Sequence, residues 1–507
     1  MGEVVKNGVS PGAAQSNNGQ AKEGKLAKEI TSIGFFGLGL SAIFGSSWLL
    51  TSGAWLARAG GPVNAMLAFA LCFLVELPLI LAYYEATPMM PLAGGEMVYS
   101  YLNLGSFWGF LIGWFTVLAN IILCIWEALA ISRCLSVLIP QISTDGVLYE
   151  FLGYQVTIYT VLIGLALILI CGYFAYRGAK SESYFGLVIT LTVNAIALIC
   201  VIVGVFYFDP ANLQPLQTKD TATGTLGLLA MLPFSVAGWD GLTKGAAEAA
   251  PTVPHKRIGG IVVLCVGIAV IMYMITTFIP SALVPWQELT EQTAPFQYAM
   301  AKIGFPILGA ALILAATIGC IGVYNVVLFA GARLLYQMGD IGLVPKKFAT
   351  LHPKYKSPTF SIYLISAISI VVLFLGQGMF IPLIDVAAIT YIIYWGATLL
   401  SVYVGRKKYP DVRRPAKYPG GKPLMVIGMV IALILACLIL IPGNPASLQW
   451  PVEYILFGAL IVVGIILYLL RDKSVPKGAS VQRLWDEINA NLDYREQYVK
   501  EHGLQQD

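Results

Sequence analysis

IFGSSWLLTSG, residues 43–53, lies inside the first long apolar stretch of the chain. A helix that crosses a bilayer has no water around it, so a broken backbone leaves amides and carbonyls with nothing to bond. Yet Gly45, Ser46 and Ser47 stand in a row near the middle of this stretch. Glycine carries no steric restraint on its backbone, and serine competes for helix hydrogen bonds. Breaks at membrane depth are tolerated only where the freed groups line a cavity or are buried in protein. The amides opening the following half-helix make a positive end that suits a carboxylate. The carbonyls closing the preceding half-helix suit a cation or an ammonium. The alternative is that the small residues simply let helices pack closely.

A second weakened span, PFSVAGWDGLTKGAAEAAP, covers residues 233–251. Pro233, Gly238 and Gly241 interrupt it, and Asp240, Lys244 and Glu248 are charged. Two interrupted spans in corresponding positions of two halves point to an inverted repeat with a site at the membrane midplane. Helices one to five would pair with helices six to ten, leaving two helices outside the repeat.

The composition supports a membrane setting. Of 507 residues, 58% are hydrophobic and 11% charged, against about 25% charged in soluble chains. Twelve apolar runs have spanning length: 33–56, 64–84, 107–139, 155–175, 184–207, 226–247, 258–280, 305–338, 359–376, 380–403, 424–442 and 452–471. The alternating pattern of a membrane barrel is absent. The fold class is therefore an all-α polytopic membrane protein of twelve transmembrane helices, with the lipid bilayer as its solvent. A net charge of +4 suggests no nucleic-acid partner. The eight cysteines fall in apolar stretches and form no CxxC pair, and the three histidines lie outside those stretches, so neither a disulfide framework nor a metal site is expected.

With twelve spans the termini share a side. Placing them inside puts Lys22, Lys25, Arg177, Lys180, Lys346, Lys354, Arg406 and Arg413 in cytoplasmic segments, and only Arg58, Lys219 and Lys302 opposite. That asymmetry is what the positive-inside rule requires, and a plasma (inner) membrane with both termini cytoplasmic is the expected setting. The expected divisions are a disordered cytoplasmic tail (1–30), a first repeat (31–207), a second repeat (208–403), helices eleven and twelve (404–471) and a cytoplasmic tail (472–507). In that last tail Leu484, Ile488, Leu492 and Tyr498 have helical spacing, which leaves a solvated helix and a docked one both open.

Five stretches carry a resemblance. GLGLSAIFGSSW (37–48) is similar to the first-helix signature of the amino acid–polyamine–organocation transporters. AYYEATPMMPLAGGEMVYSY (82–101), FSVAGWD (234–240), GARLLYQMGDIGLVPKKFATLHPKYKSP (331–358) and YPDVRRPAKYPGG (409–421) resemble later signatures, in family order. The resemblance implies a LeuT-like five-plus-five inverted repeat with discontinuous helices 1 and 6. It implies alternating access, and an amino acid or related amine as the small-molecule substrate. By that similarity the N–H groups around Gly45, Ser46 and Ser47 hold a carboxylate. The carbonyls of Ile43, Ser235 and Ala237 hold an ammonium, beside Gly238 and Trp239, and Phe234 is an aromatic gate. Asp240 falls where relatives carry a proton-sensing or gating acid. Asn194 stands where some proton-coupled relatives have lysine, and Trp48 follows a Ser47 that replaces the usual glycine.

Charges within spans are functional candidates by default. Glu127, midway along the third run, is read either as a reader of a cationic side chain or proton carrier, or as a structural carboxylate. Lys244 is spaced to pair with Asp240 and with Glu248, as an internal ion pair or as a coupling charge. Asn325 on the eighth span is read either as a helix–helix hydrogen bond or as a candidate reader of the side chain. No nucleotide loop or HExxH motif appears, so neither an enzyme nor a cofactor is expected. Transport is coupled to protons or to a counter-substrate, and a sensor that binds without transporting is the alternative.

Overall fold

The computed structural model describes residues 26, 28–229, 231–442 and 447–503, with backbone alone at 179, 234 and 477. The first apolar run begins as α1 (Ser32–Ile43), whose first turn is capped by the Thr31 hydroxyl. It stops at residues 44–46 and resumes as α2 (Ser47–Leu50) and α3 (Ser52–Ala59). Then come α4 (Pro62–Met89), α5 (Glu96–Leu104), α6 (Ser106–Leu138), a single turn α7 (Gln141–Thr144), α8 (Ile158–Arg177) and α9 (Ala179–Phe206). The sixth run is in pieces: α10 (Thr221–Leu229), α11 (Leu232–Ser235) and α12 (Gly241–Lys244), with a 3-10 turn over Gly245–Glu248. The second half continues with α13 (His255–Leu283), α14 (Trp286–Leu289), α15 (Pro295–Lys302), α16 (Pro306–Asp340), α17 (Thr359–Leu373), α18 (Phe380–Lys408), α19 (Gly421–Leu440), α20 (Val452–Leu469) and α21 (Lys477–His502).

Among the described residues ten helices are long and apolar enough to cross a membrane, so this is a multi-pass, all-α membrane protein. The two remaining expected runs differ for separate reasons. Residues 226–247 are divided among α10, α11 and α12, with Gly238 between the last two, and Thr359–Leu373 forms a helix of only 15 residues. One feature of another kind intrudes: β1 (Val147–Phe151) pairs antiparallel with β2 (Tyr154–Thr157). Their two-residue turn has Leu152 at φ 50° and Gly153 at φ 81°, as a type I′ hairpin needs. Leucine at the first turn position hid the signal.

The broken first span and the continuous α6 are the most deeply buried of the spanning segments. α1 is packed by α9, α13 and α16, and α6 by α16 and α18. α19 and α20 face outward, with Leu433, Ile434, Val462 and Ile465 exposed to what would be lipid. Two of the sequence signatures meet directly. The Glu85 carboxylate, from 82–101, accepts the Tyr418 amide at 2.7 Å and the Arg406 Nε at 3.0 Å, with Arg414 Nε at 3.4 Å. That ties the end of the second span to the 409–421 loop.

The C-terminal helix is docked. Leu484, Ile488, Leu492 and Val499 form its buried stripe, with Val499 in place of the expected Tyr498. Asn491 donates to the Pro91 carbonyl at 3.1 Å, and the Arg495 Nε to that of Val253 at 2.7 Å. Ser480 donates to the Ile341 carbonyl at 3.3 Å. The helix therefore straps the ends of the second, sixth and eighth segments.

Neighbouring glycines on α13 test this packing. A Cβ on Gly259 would stand 2.6 Å from the Tyr84 carbonyl oxygen, whereas one on Gly260 meets nothing within 4 Å. Gly259→Ala forces α13 off α4 and is expected to destabilise by about 1–3 kcal/mol. Gly260→Ala removes glycine's helix penalty and gains about 0.5–1 kcal/mol. Opposite shifts in the thermal midpoints of the two variants check the contact.

Candidate substrate site

The first break is held open by specific bonds. Phe44 caps α1 through its amide to the Leu40 carbonyl at 3.0 Å, and the Gly45 amide turns back to Ile43 at 3.0 Å. No helical turn spans residues 44–46, so the amides of Ser46 and Ser47 have no acceptor within the helix. The Trp48 indole N–H donates to the Gly45 carbonyl at 2.7 Å, and its ring stacks on Phe44 at 5.3 Å. Trp48 thus braces the loop it follows.

The second break lies against the first. Gly238 has φ 97°, and a Cβ there would stand 2.6 Å from the Ala42 carbonyl oxygen. Only glycine combines that conformation with that approach. One hydroxyl joins both breaks: Tyr273, on α13, lies 2.6 Å from the Ile43 carbonyl and 3.0 Å from that of Ser235. A phenol has one proton, so it donates to one carbonyl at a time. The Ser47 hydroxyl, 3.1 Å away, supplies a further bond. Glu127, buried on α6, accepts from the Ser46 hydroxyl at 3.4 Å. Its Oε1 lies where a Cβ on Gly45 would come within 2.6 Å.

Below the second break two ionic clusters fix the segment. Lys244 is fully buried between Asp240 and Glu96, with Glu96 Oε1 at 2.8 Å. The Asp240 carboxylate also accepts from the Tyr394 hydroxyl at 3.1 Å. Glu248 instead turns to Arg333 of α16, which also meets Glu182 of α9 at 3.2 Å. The Glu248 carbonyl accepts the amides of Glu29 and Ile30, each at 2.9 Å. The start of the first span is therefore sewn to the end of the sixth.

The comparisons with known proteins agree with this architecture. The profile of a family described as amino acid permease matches residues 30–466. The chain belongs to the amino acid permease family. This permease is 25% identical over 460 residues to a methylthioribose transporter of Bacillus subtilis (strain 168), covering 90% of this chain and 95% of the relative. It is 24% identical over 468 residues to the branched-chain amino acid permease BcaP of the same organism, covering 90% and 95%. To the aspartate-proton symporter of that organism it is 23% identical over 474 residues, covering 90% and 86%.

Of the residues singled out in the sequence, the permease brings Ile43, Gly45, Ser46, Ser47, Glu127, Ser235 and Gly238 together. Ala237 is buried on the same turn. The Phe234 side chain lies outside the described residues. Trp239 turns away from the first break, edge-on to Tyr83 at 4.9 Å and stacked on Trp395 at 5.1 Å. Asn325 is buried beside α9, its amide 3.5 Å from the Glu182 carbonyl. Asn194 is half-buried and returns its amide to Thr190 of its own helix at 2.8 Å; from the same helix it is Thr190 that reaches the Gly37 carbonyl of α1, at 3.2 Å.

The expected Lys244–Glu248 pair does not form. An α-helix turns about 100° per residue, leaving i and i+4 about 40° apart. The Gly245–Glu248 turn is 3-10, at about 120° per residue, which swings Glu248 toward α16. Tyr273 and Arg333 were not anticipated. A lone tyrosine in the aliphatic run VIMYMITT (270–277) was the only trace of the former, and the latter sits in the 331–358 signature.

Two substitutions test the arrangement. Tyr273→Phe leaves buried carbonyls short of a donor and is expected to cost about 1–3 kcal/mol, read as a lower thermal midpoint. Lys244→Met leaves two buried carboxylates unpaired and costs about 3–5 kcal/mol. Lys302→Met, which removes the exposed partner of Glu288, leaves the midpoint where it is.

Proposed function

We propose that this permease is a secondary active transporter of an amino acid or a closely related amine, working by alternating access. The observation that carries the reading is the contact of two interrupted spans at Gly238 and Ala42. The Tyr273 hydroxyl, within bonding distance of both the Ile43 and the Ser235 carbonyls, supports it. The amides of Ser46 and Ser47 take the substrate carboxylate and these carbonyls, with that of Ala237, its ammonium. Each carbonyl oxygen has two lone pairs, so Tyr273 can remain bonded or be displaced as the ammonium arrives. Phe234 closes over the ligand. Glu127, which lies against the first break, shapes the rest of the pocket, whereas Trp239 and Asn325 pack away from it.

In this reading residues 31–207 and 208–403 are the inverted repeats, residues 404–471 lie outside them, and both termini are cytoplasmic in a plasma membrane. The relatives are named as transporters and permeases, so a sensor that does not transport lacks support. One relative is named for proton symport. The Asp240–Lys244–Glu96 cluster sets two buried carboxylates against one ammonium. It offers a place where a proton can settle and leave as the sixth segment moves, and exchange for a counter-substrate is the alternative coupling.

Purified protein in proteoliposomes, offered labelled amino acids and amines with and without an inward proton gradient, tests this. Uptake of at least one amino acid above empty liposomes is expected, driven by the gradient or by preloaded counter-substrate. Under proton coupling Asp240→Asn keeps exchange and loses gradient stimulation. Flat uptake of every amino acid and amine, or uptake of methylthioribose alone, overturns the zwitterion site.

A further inference from the structure

Away from the broken helices, a cavity of 410 Å³ opens where four basic side chains converge. It is lined by Arg177 at the end of α8, Lys180 and Ser181 in the first turn of α9, and Lys354 and Lys356 from the loop before α17. Glu29, on the approach to α1, is the one acidic side chain in its wall. The excess is therefore three positive charges in one concave site. Among the described residues none of the four cations has an ion-pair partner. Arg177 bonds the Tyr173 hydroxyl at 2.9 Å and lies over the Tyr173 and Tyr355 rings, contacts that leave its charge uncompensated.

The walls are built to hold these groups in place. The loop is tied by Lys356 N–H to the His352 carbonyl at 2.9 Å, and by the His352 Nδ1 accepting the amides of Lys354 and Tyr355 at 3.2 and 3.1 Å. Tyr176 bonds the His352 Nε2 at 2.8 Å, and the Ser357 hydroxyl bonds the Tyr176 carbonyl at 2.8 Å. Lys356 is held at φ 53°, a conformation that costs a side-chain-bearing residue free energy. The N-terminal end of α9, a helix of 28 residues, lines the same cavity through Gly178, Lys180 and Ser181.

From the convergence of these unpaired cations, the N-terminal end of α9 and Ser181 on one cavity, we infer a binding site for a phosphate group. The ligand is either an anionic lipid headgroup or a free phosphate. Several cations on one concave wall, with N–H and O–H donors between them, match the oxygens of a phosphate. The volume lies within the range of small-molecule pockets, about 300–1,000 Å³, which leaves room for more than a bare ion. Tyr173 and Tyr184 are exposed beside it, as aromatic side chains are at the level of lipid headgroups. Basic pockets between membrane helices hold such headgroups. Because the walls come from α8, α9, the loop before α17 and the approach to α1, an occupant ties the two halves of the chain together.

The test uses the full chain in detergent, titrated by thermal shift at matched ionic strength. The probes are inorganic phosphate, dioctanoyl phosphatidylglycerol and dioctanoyl phosphatidylcholine, with chloride as the salt control. Stabilisation by phosphatidylglycerol alone assigns a lipid headgroup, and stabilisation by both anions assigns a free phosphate. Phosphatidylcholine and chloride are expected to be silent. Lys180→Ala with Lys356→Ala is expected to need about tenfold more anion, or worse. Lys356→Gly guards against misfolding, because glycine takes φ 53° freely, and it also is expected to weaken the anion response. No anion effect beyond chloride in the unaltered protein, or identical titrations for the variants, overturns the site.

Discussion

A backbone opened in the middle of a membrane must find partners, and this constraint organises the protein. The first and sixth segments are both interrupted, and each supplies part of what the other needs. Gly238 brings the second break against Ala42, and Tyr273 bonds the carbonyls at the end of each leading half-helix. Trp48 and Phe44 close the first break with a stacked pair and an indole bond. The Ser46 hydroxyl donates to the buried Glu127 at 3.4 Å. The proposed zwitterion site uses the backbone groups that these two breaks free.

The ionic clusters follow from the same geometry. A short, partly 3-10 segment cannot anchor itself by helix bonds alone, and charges hold it in place. Lys244 fastens it to the Glu96 signature, and Glu248 fastens it through Arg333 to α9 and α16. Buried ion pairs add little net stability over apolar packing, but losing one member is severe. Such pairs suit a segment that must hold discrete positions more than one that must only be stable. The bonds from Glu29 and Ile30 to Glu248, and the docked α21, lie at the same end of the molecule.

Much of this was legible in the sequence because backbone chemistry leaves a compositional mark. Glycine and serine inside an apolar run have few explanations, and both breaks fall where the residues place them. Asp240–Lys244 was legible from helical spacing, whereas Lys244–Glu248 was not, because the spacing rule assumes a helix that the glycine-rich turn abandons. Tyr273 was invisible because a tyrosine in an aliphatic span reads equally as packing. Asn194 was placed by resemblance to a family pattern, and a shift of a few residues along α9 moves a side chain from one neighbour to another. The 147–157 hairpin was missed because leucine, not asparagine or glycine, opens its turn. The carboxylate partners of Arg333 come from two distant segments, and no local pattern encodes them.

The most direct measurement is an experimentally determined structure of the protein with a transported amino acid bound. The account places the ligand's carboxylate within hydrogen-bond distance of the Ser46 and Ser47 amides. Its ammonium lies against the carbonyls of Ile43, Ser235 and Ala237. Density for the amino acid elsewhere, with residues 43–48 wound into continuous helix, would contradict it.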